Sequence, residues 1–219
     1  MKKKAIIFGI NELSAVLGWL LETEGKYELI GYTLDDEYCV SEKYSDKPLI
    51  PFSKLDELYP DKNFEIFITI GYSKMNDVRK LVFNKIKKKE YKIGQYIHPS
   101  SVVQCKSIGD GNIILDSCSL GVFSVIGDGN IIWPGVTISH HCVVKDYNYF
   151  APECTVAGCV NIENNCFLGV NCTIKNSITI NDYSLIGAGV YVSKSTDEYG
   201  VYVPERSIKL DKSSMDIQL

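Results

Sequence analysis

Residues 101–196 carry an unbroken six-residue period. Cut from Ser101, the chain reads SVVQCK SIGDGN IILDSC SLGVFS VIGDGN IIWPGV TISHHC and runs on to LIGAGV YVSKST. The second position of all sixteen hexads is apolar, from Val102, Ile108 and Ile114 through Ile138 to Ile186 and Val192. The chain is 45 % apolar, so chance produces such a run in a fixed frame on the order of once in several hundred thousand. A helix repeats near 3.6 residues and an open strand at 2. A period of six belongs to the parallel β-helix, where each hexad is a short strand plus a turn and three hexads close one triangular coil. The run therefore predicts a little over five coils, with the second-position side chains stacked into an inner apolar column. The third position is often glycine (Gly109, Gly121, Gly127, Gly169, Gly187), which suits a tight turn or a close backbone approach.

The same frame accounts for the cysteines. Five of the eight, Cys118, Cys142, Cys154, Cys166 and Cys172, fall on the sixth position, where the other residues are mostly small. No C-x-x-C pair occurs, so the spacing gives no zinc site of the usual kind. They read as small buried hydrophobes.

The first hundred residues follow a different pattern. Strands are expected at Ala5 to Phe8, Tyr27 to Leu34, Leu49 to Phe52, Phe64 to Ile70 and Ile93 to Ile97. Helices are expected at Asn11 to Leu21 (apolar face Ala15, Val16, Leu20), Ser53 to Leu58 and Met75 to Lys87 (Val78, Leu81, Val82, Ile86). Alternating strands and helices make a parallel α/β sheet. Ligands of such sheets sit at the carboxyl ends of the strands, here Gly9 to Asn11, Asp35-Asp36 and Gly71-Tyr72. The turn GINELS is not a G-x-G-x-x-G fingerprint, and no P-loop or G-x-S-x-G elbow is present. The expected organisation is an α/β domain at 1–98, the β-helix at 99–196 and a C-terminal cap at 197–219. The N-terminal domain should close one end of the helix.

Net charge is −4, which argues against a global electrostatic grip on nucleic acid. No apolar stretch reaches the roughly 18 residues of a membrane span, and the apolar run after MKKK is too short for a signal peptide. A cytoplasmic protein is expected. The chain has three histidines: His98 in a His-Pro turn, read as structural, and His140 and His141 at the fourth and fifth positions of one hexad. Adjacent histidines point apart, and His98 lies more than two coils away, so a three-histidine zinc centre within one chain is disfavoured and no metal is expected.

IWPGVTISHHC, FAPECTVAGCVNIENNCFLGVNCTI and LIGAGVYVSKST, together with the strand-glycine-helix start, Asp35-Asp36 and Gly71, resemble bacterial sugar acyltransferases. These join a small Rossmann-like domain to a left-handed β-helix and include sialic acid O-acetyltransferases and nucleotide-amino-sugar N-acetyltransferases. The likeness covers about residues 4 to 206. It implies a homotrimer with sites between neighbouring β-helices, acetyl-CoA as co-substrate and a nucleotide-linked amino sugar, with a dideoxy sugar expected, bound near Gly9, Ile10, Asn11, Asp35, Asp36, Gly71 and Tyr72. The family's catalytic histidine falls on His140. The next residue, often Glu in relatives, is His141. The glycine whose N–H meets the thioester falls on Gly158, and coenzyme contacts continue at Gly187, Ala188 and Gly189. Where relatives often read G-x-P-A-K, this chain has Tyr202-Val203-Pro204-Glu205-Arg206.

The chemistry is consistent with those positions. Acyl transfer to an amine needs a base, and an imidazole, ordinarily with a pKa of about 6.5, suits neutral pH. A backbone N–H at glycine can approach a developing oxyanion closely. Gly158 follows His140 by eighteen residues, one full coil, so the two should stack. Direct attack by the amine, without an acyl-enzyme, is expected. Asp146 and Glu153 are candidate partners for His140 or solvated turn residues. Trp133 walls the substrate or packs at the trimer seam. The alternatives to N-acetylation are O-acetylation of a sugar and a non-catalytic trimeric scaffold.

Overall fold

The computed structural model describes residues 2–205, 207–209, 211 and 215. The N-terminal sheet is built from β1 (Lys3–Phe8), β2 (Tyr27–Leu34), β3 (Lys43–Tyr44), β4 (Lys47–Pro51), β5 (Glu65–Ile68) and β6 (Lys92–Ile93), in the order β3-β4-β2-β1-β5-β6. All pairings are parallel except β3 with β4. The helices are α1 (Glu12–Thr23), α2 (Leu55–Leu58) and α3 (Asp77–Lys88). The central strand β1 is apolar on both faces, as a parallel sheet covered on both sides requires: Ala5, Ile6 and Ile7 are fully buried.

Helix faces depart from the expected ones. α1 buries Leu13, Ser14, Leu17, Gly18 and Leu21, and exposes Val16. α3 buries Arg79, Val82, Phe83 and Ile86, and exposes Leu81. In α1 the buried stripe keeps the i, i+4 spacing but is rotated about the axis. In α3 Val82 and Ile86 are buried as expected, and Arg79 and Phe83 join them in place of Val78 and Leu81, because the sheet and the neighbouring β-helix together select the face.

Beyond β6 the chain winds into a left-handed parallel β-helix of triangular section. Its rungs form three parallel sheets. The docked face holds Tyr96–Ile97, Ile113–Ile114, Ile131–Ile132, Tyr149–Phe150, Phe167–Leu168, Leu185–Ile186 and Val201–Tyr202. The second face holds Val102–Val103, Ser119–Leu120, Thr137–Ile138, Thr155–Val156, Thr173–Ile174 and Tyr191–Val192. The third holds Ser107–Ile108, Val125–Ile126, Val143–Val144, Asn161–Ile162 and Thr179–Ile180. Strands fall on the first two hexad positions, and every second-position residue from Ile114 to Val192 is buried. The first coil is the exception. Leu120 pairs with Val103, seventeen residues back, so Val103 turns inward and Val102 is 54 % exposed. The frame therefore slips by one residue at the first hexad.

The fifth position is left-handed throughout, with positive φ at every hexad from Gly111 to Gly189, including His141, Tyr147, Glu153 and Cys159. The third-position glycines serve close approach instead: a Cβ on Gly121 would lie 2.8 Å from the His140 nitrogen. The five sixth-position cysteines are buried free thiols. One of the three sixth-position columns is a ladder, in which Asn112, Asn130 and Asn148 accept through Oδ1 from the N–H of Asn130, Asn148 and Cys166 at 2.9, 2.8 and 2.7 Å. It continues a buried hydrogen-bond chain between coils.

The N-terminal domain does not close an end of the helix. It covers the docked face along its side, where Ile113, Leu115, Ile131, Tyr147, Tyr149 and Ala151 join the core of the α/β domain. The outward positions of that face are apolar, and an apolar sheet face needs a second layer. Val201–Tyr202 adds the last rung at the other end. Arg206, residue 210 and most of 212–219 of the expected cap lie outside the described residues. Among the described residues no helix is long and apolar enough to cross a membrane.

Candidate active site

The triangular section has three edges. The edge between the second and third faces carries residues 121–124, 139–142, 157–160 and 175–178. His140 stands here with its imidazole against Gly158, one coil on. A Cβ on Gly158 would fall 2.6 Å from Cε1 and 2.7 Å from Nε2 of His140, so the missing side chain is what seats the ring. The Gly158 carbonyl accepts from Ser177 N–H at 3.1 Å, and the Cys159 N–H donates to the His140 carbonyl at 3.0 Å. These two bonds hold the coils in register beneath the ring.

His140 Nδ1 lies 3.0 Å from His141 Nδ1. One ring donates and the other accepts, and the tautomers decide which. The left-handed backbone at His141, with φ of 56°, turns its side chain back toward its neighbour, which is why two adjacent histidines meet here instead of pointing apart. The Phe123 ring packs on His141 at 4.9 Å between centroids. Phe123 is a site neighbour that sequence reasoning missed, although the eighteen-residue step that stacks Gly158 on His140 also stacks His141 on Phe123. Asp146 and Glu153 stand on the other two edges. Asp146 accepts from the Asp128 N–H at 2.7 Å, and Glu153 lies against Gly135; neither is a partner of His140. Gly187, Ala188 and Gly189 occupy the edge between the docked and second faces, so the second face separates them from His140. Its outward residues there are the short hydroxylic Ser119, Thr137, Thr155 and Thr173, with the exposed Tyr191 on the rung beside Gly189.

A cavity of about 580 Å³ opens between the N-terminal domain and the docked face, lined by Asn11, Glu12, Leu13, Thr69, Gly71, Tyr72, Ser73, Trp133 and Tyr149. Its floor is aromatic: Tyr149 stacks on Phe167 at 5.3 Å, and Tyr72 meets both edge-on at 5.2 and 5.1 Å. The Asn11 side chain is engaged in the fold. It accepts from Ser14 N–H at 3.0 Å as the cap of α1 and donates to the Thr69 carbonyl at 2.8 Å. Gly9 lies behind this wall with φ of 139°, where a Cβ would meet Thr69 Oγ1 at 2.3 Å. Ile10 packs on the core. The structure thus brings Asn11, Gly71 and Tyr72 together. Asp35 and Asp36 line a separate depression with Phe52, Ser53, Lys85 and Lys89. Asp35 pairs with Lys85. Asp36 accepts from Ser53 Oγ at 2.5 Å and Ser53 N–H at 3.2 Å, bonds that hold its carboxyl below the usual range. Among the described residues, no group of three or more His, Cys, Asp or Glu side chains is arranged to hold a metal ion.

Comparison with known proteins agrees with this architecture. Residues 123–158 match the bacterial transferase hexapeptide (six repeats) and residues 159–194 the hexapeptide repeat of succinyl-transferase. A search of curated protein sequences gives no significant match. Among solved structures, the acetyltransferase domain of PglB from Neisseria gonorrhoeae is similar, with a TM-score of 0.79, 20 % identity and coverage of 91 % of this chain and 96 % of that one. The same domain is known in complex with acetyl coenzyme A. PerB from Caulobacter crescentus, in complex with CoA and GDP-perosamine, gives 0.76, 22 % and 91 % of both chains. WeeI from Acinetobacter baumannii gives 0.69, 19 %, 92 % and 94 %. Residues 123–194 accordingly match models of hexapeptide repeats, and the chain as a whole has the two-domain fold seen in these solved structures.

Proposed function

We propose that this chain is an acetyl-CoA-dependent N-acetyltransferase acting on the amino group of a nucleotide-linked amino sugar, a dideoxy sugar by the family resemblance, in cytoplasmic synthesis of a bacterial surface glycan. The observation that carries the reading is the His140 ring seated on Gly158 with its Nδ1 bonded to His141. In this reading His140 donates from Nδ1 to Nδ1 of His141, the tautomer that leaves Nε2 as a base on the open edge. The neutral amine attacks the thioester carbonyl while Nε2 takes its proton; the N–C bond forms, the C–S bond breaks, and Nε2 passes the proton on to the leaving thiolate, which returns His140 to its neutral form. The Gly158 N–H faces the carbonyl oxygen, where a fixed donor is worth most. His141 keeps the base oriented, the role a carboxylate plays in relatives. The buried thiols Cys142 and Cys154 are poor nucleophiles: burial pushes Cys142 up, and the Cys172 contact followed by burial pushes Cys154 well up.

The second face offers an extended shallow floor between the His140 edge and Gly187, Ala188 and Gly189, suited to a long coenzyme. The nucleotide sugar belongs in the cavity of Asn11, Gly71 and Tyr72. That cavity sits on the docked face, and the His140 edge is the one opposite that face. A sugar bound there meets the histidine of a second copy, which supports the homotrimer with sites between subunits.

The test is thiol release from acetyl-CoA against UDP-, dTDP- and GDP-linked amino sugars, wild type beside His140→Ala. Turnover with one amino sugar, reduced roughly 10²- to 10⁴-fold in the variant, is expected. Turnover only with hydroxyl sugars, or equal turnover in both proteins, would overturn the reading.

A further inference from the structure

Arg79 of α3 has no part in the chemistry above, is 1 % exposed and has no carboxylate among its hydrogen-bond partners. Each guanidinium donor instead meets a main-chain carbonyl. Nε donates to Gly129 at 2.9 Å, Nη1 to Ile70 at 3.2 Å and Gly71 at 2.8 Å, and Nη2 to Tyr147 at 2.7 Å and Asn148 at 3.0 Å. Burial lowers its pKa to about 9, so the charge persists at neutral pH. A buried cation without an anion is expensive, and an apolar side chain would fill the space at less cost. What the charge achieves is geometric. Gly129, Tyr147 and Asn148 belong to two successive coils, whereas Ile70 and Gly71 begin the loop that walls the cavity.

That loop is strained. Lys74, Met75 and Asn76 are three consecutive left-handed residues, with φ of 49°, 49° and 68°, a conformation disfavoured for residues other than glycine. The β-helix holds it there. Asn76 Nδ2 donates to the Cys166 carbonyl at 3.0 Å, Asn165 Nδ2 donates to the Met75 carbonyl at 3.0 Å and to Asp77 Oδ1 at 3.1 Å, and Tyr183 Oη donates to Asp77 Oδ1 at 3.0 Å. Tyr72, 58 % exposed at the cavity mouth, is thereby fixed over Tyr149 and Phe167 before any ligand arrives.

We infer that Arg79 is a positioning residue for the cavity: by holding the Ile70 and Gly71 carbonyls against the coils, it presets the strained loop and Tyr72 for the nucleotide sugar. This rests on the assignment of that cavity to the sugar substrate. Preset geometry removes an ordering cost from binding, and its loss should fall on one substrate alone. In steady-state kinetics of the full-length chain, Arg79→Lys is expected to raise KM for the nucleotide sugar about tenfold or more, with KM for acetyl-CoA within about twofold. Lysine keeps the charge but cannot span five carbonyls. Asn165→Gly, which removes the tie from the coil side and keeps the left-handed backbone, should show the same split more weakly, and it serves if Arg79→Lys does not fold. Equal changes in both KM values, a loss in kcat alone, or no change in either variant would overturn the role of Arg79 while leaving the proposed function standing. A wild type that turns over no nucleotide sugar would overturn both.

Discussion

His140 and Gly158 touch because eighteen residues make one coil, and that contact sets two expectations at the residue scale. Gly158→Ala places a methyl where the imidazole lies, with closest approaches of 2.6 and 2.7 Å. The ring must move, and displacement of a catalytic group by about 1 Å costs on the order of 10²-fold. A fall of that order in kcat, with Tm nearly unchanged because the site is on an edge, is expected from kinetics beside calorimetry. His141→Ala removes the acceptor of the Nδ1 bond and should lower kcat about tenfold or more with little effect on either KM. His141→Glu should recover most of the rate, since a carboxylate accepts the same bond. An unchanged kcat in His141→Ala would show that His140 needs no partner. The stacking of His140 on Gly158 was legible from the repeat alone. The partner was not: Asp146 and Glu153 are the first carboxylates that follow His140 in the sequence, but each turn sends them to a different edge, and the left-handed backbone at His141 is invisible in a list of residue types.

At the scale of the element, the inner column and the ladders carry the coil. Ile138→Asp puts an unpaired charge between fully buried neighbours and should cost more than about 4 kcal/mol, read as loss of the cooperative melting transition. Asn148→Ala deletes the Oδ1 that accepts from Cys166 N–H and should cost about 1–3 kcal/mol, a drop of several degrees in Tm. The thiols give a second readout. Burial pushes Cys118 up to about 11 and Cys166 up to about 12, so both stay protonated and unreactive toward a thiol reagent from pH 7 to 9. The exposed Cys159 should react first. Acetyl-CoA should slow that reaction, because Cys159 adjoins Gly158. The six-residue period disclosed the column, but not its slip at the first coil, since Val102 and Val103 are both apolar. The α1 stripe was misplaced, and the α3 stripe was right at Val82 and Ile86 but wrong at Leu81, because Val16 and Leu81 meet solvent where periodicity alone assigns them to the core and because Arg79 is buried by partners on another domain.

At the scale of the molecule, the cavity at Tyr72 and the edge at His140 lie on opposite sides of the triangular section. If copies complete each other's sites, Tyr72→Ala and His140→Ala chains, each weak alone, should regain activity when mixed and reassembled, toward about a quarter of wild type for random mixing across such an interface. Continued inactivity of well-assembled mixed oligomers would place both halves of the site within one chain. The sequence by itself determined the β-helix, the parallel α/β sheet beside it and the pairing of His140 with Gly158, because each follows from a local period or a fixed spacing that no distant contact has to supply. Tertiary structure alone decided that the small domain lies along the side of the helix, that Asp35 and Asp36 stand apart from Asn11, Gly71 and Tyr72, and that Arg79 is buried among carbonyls. Those outcomes depend on which surfaces meet, and the meeting is set by shape and by the direction of side chains, which a one-dimensional pattern does not contain.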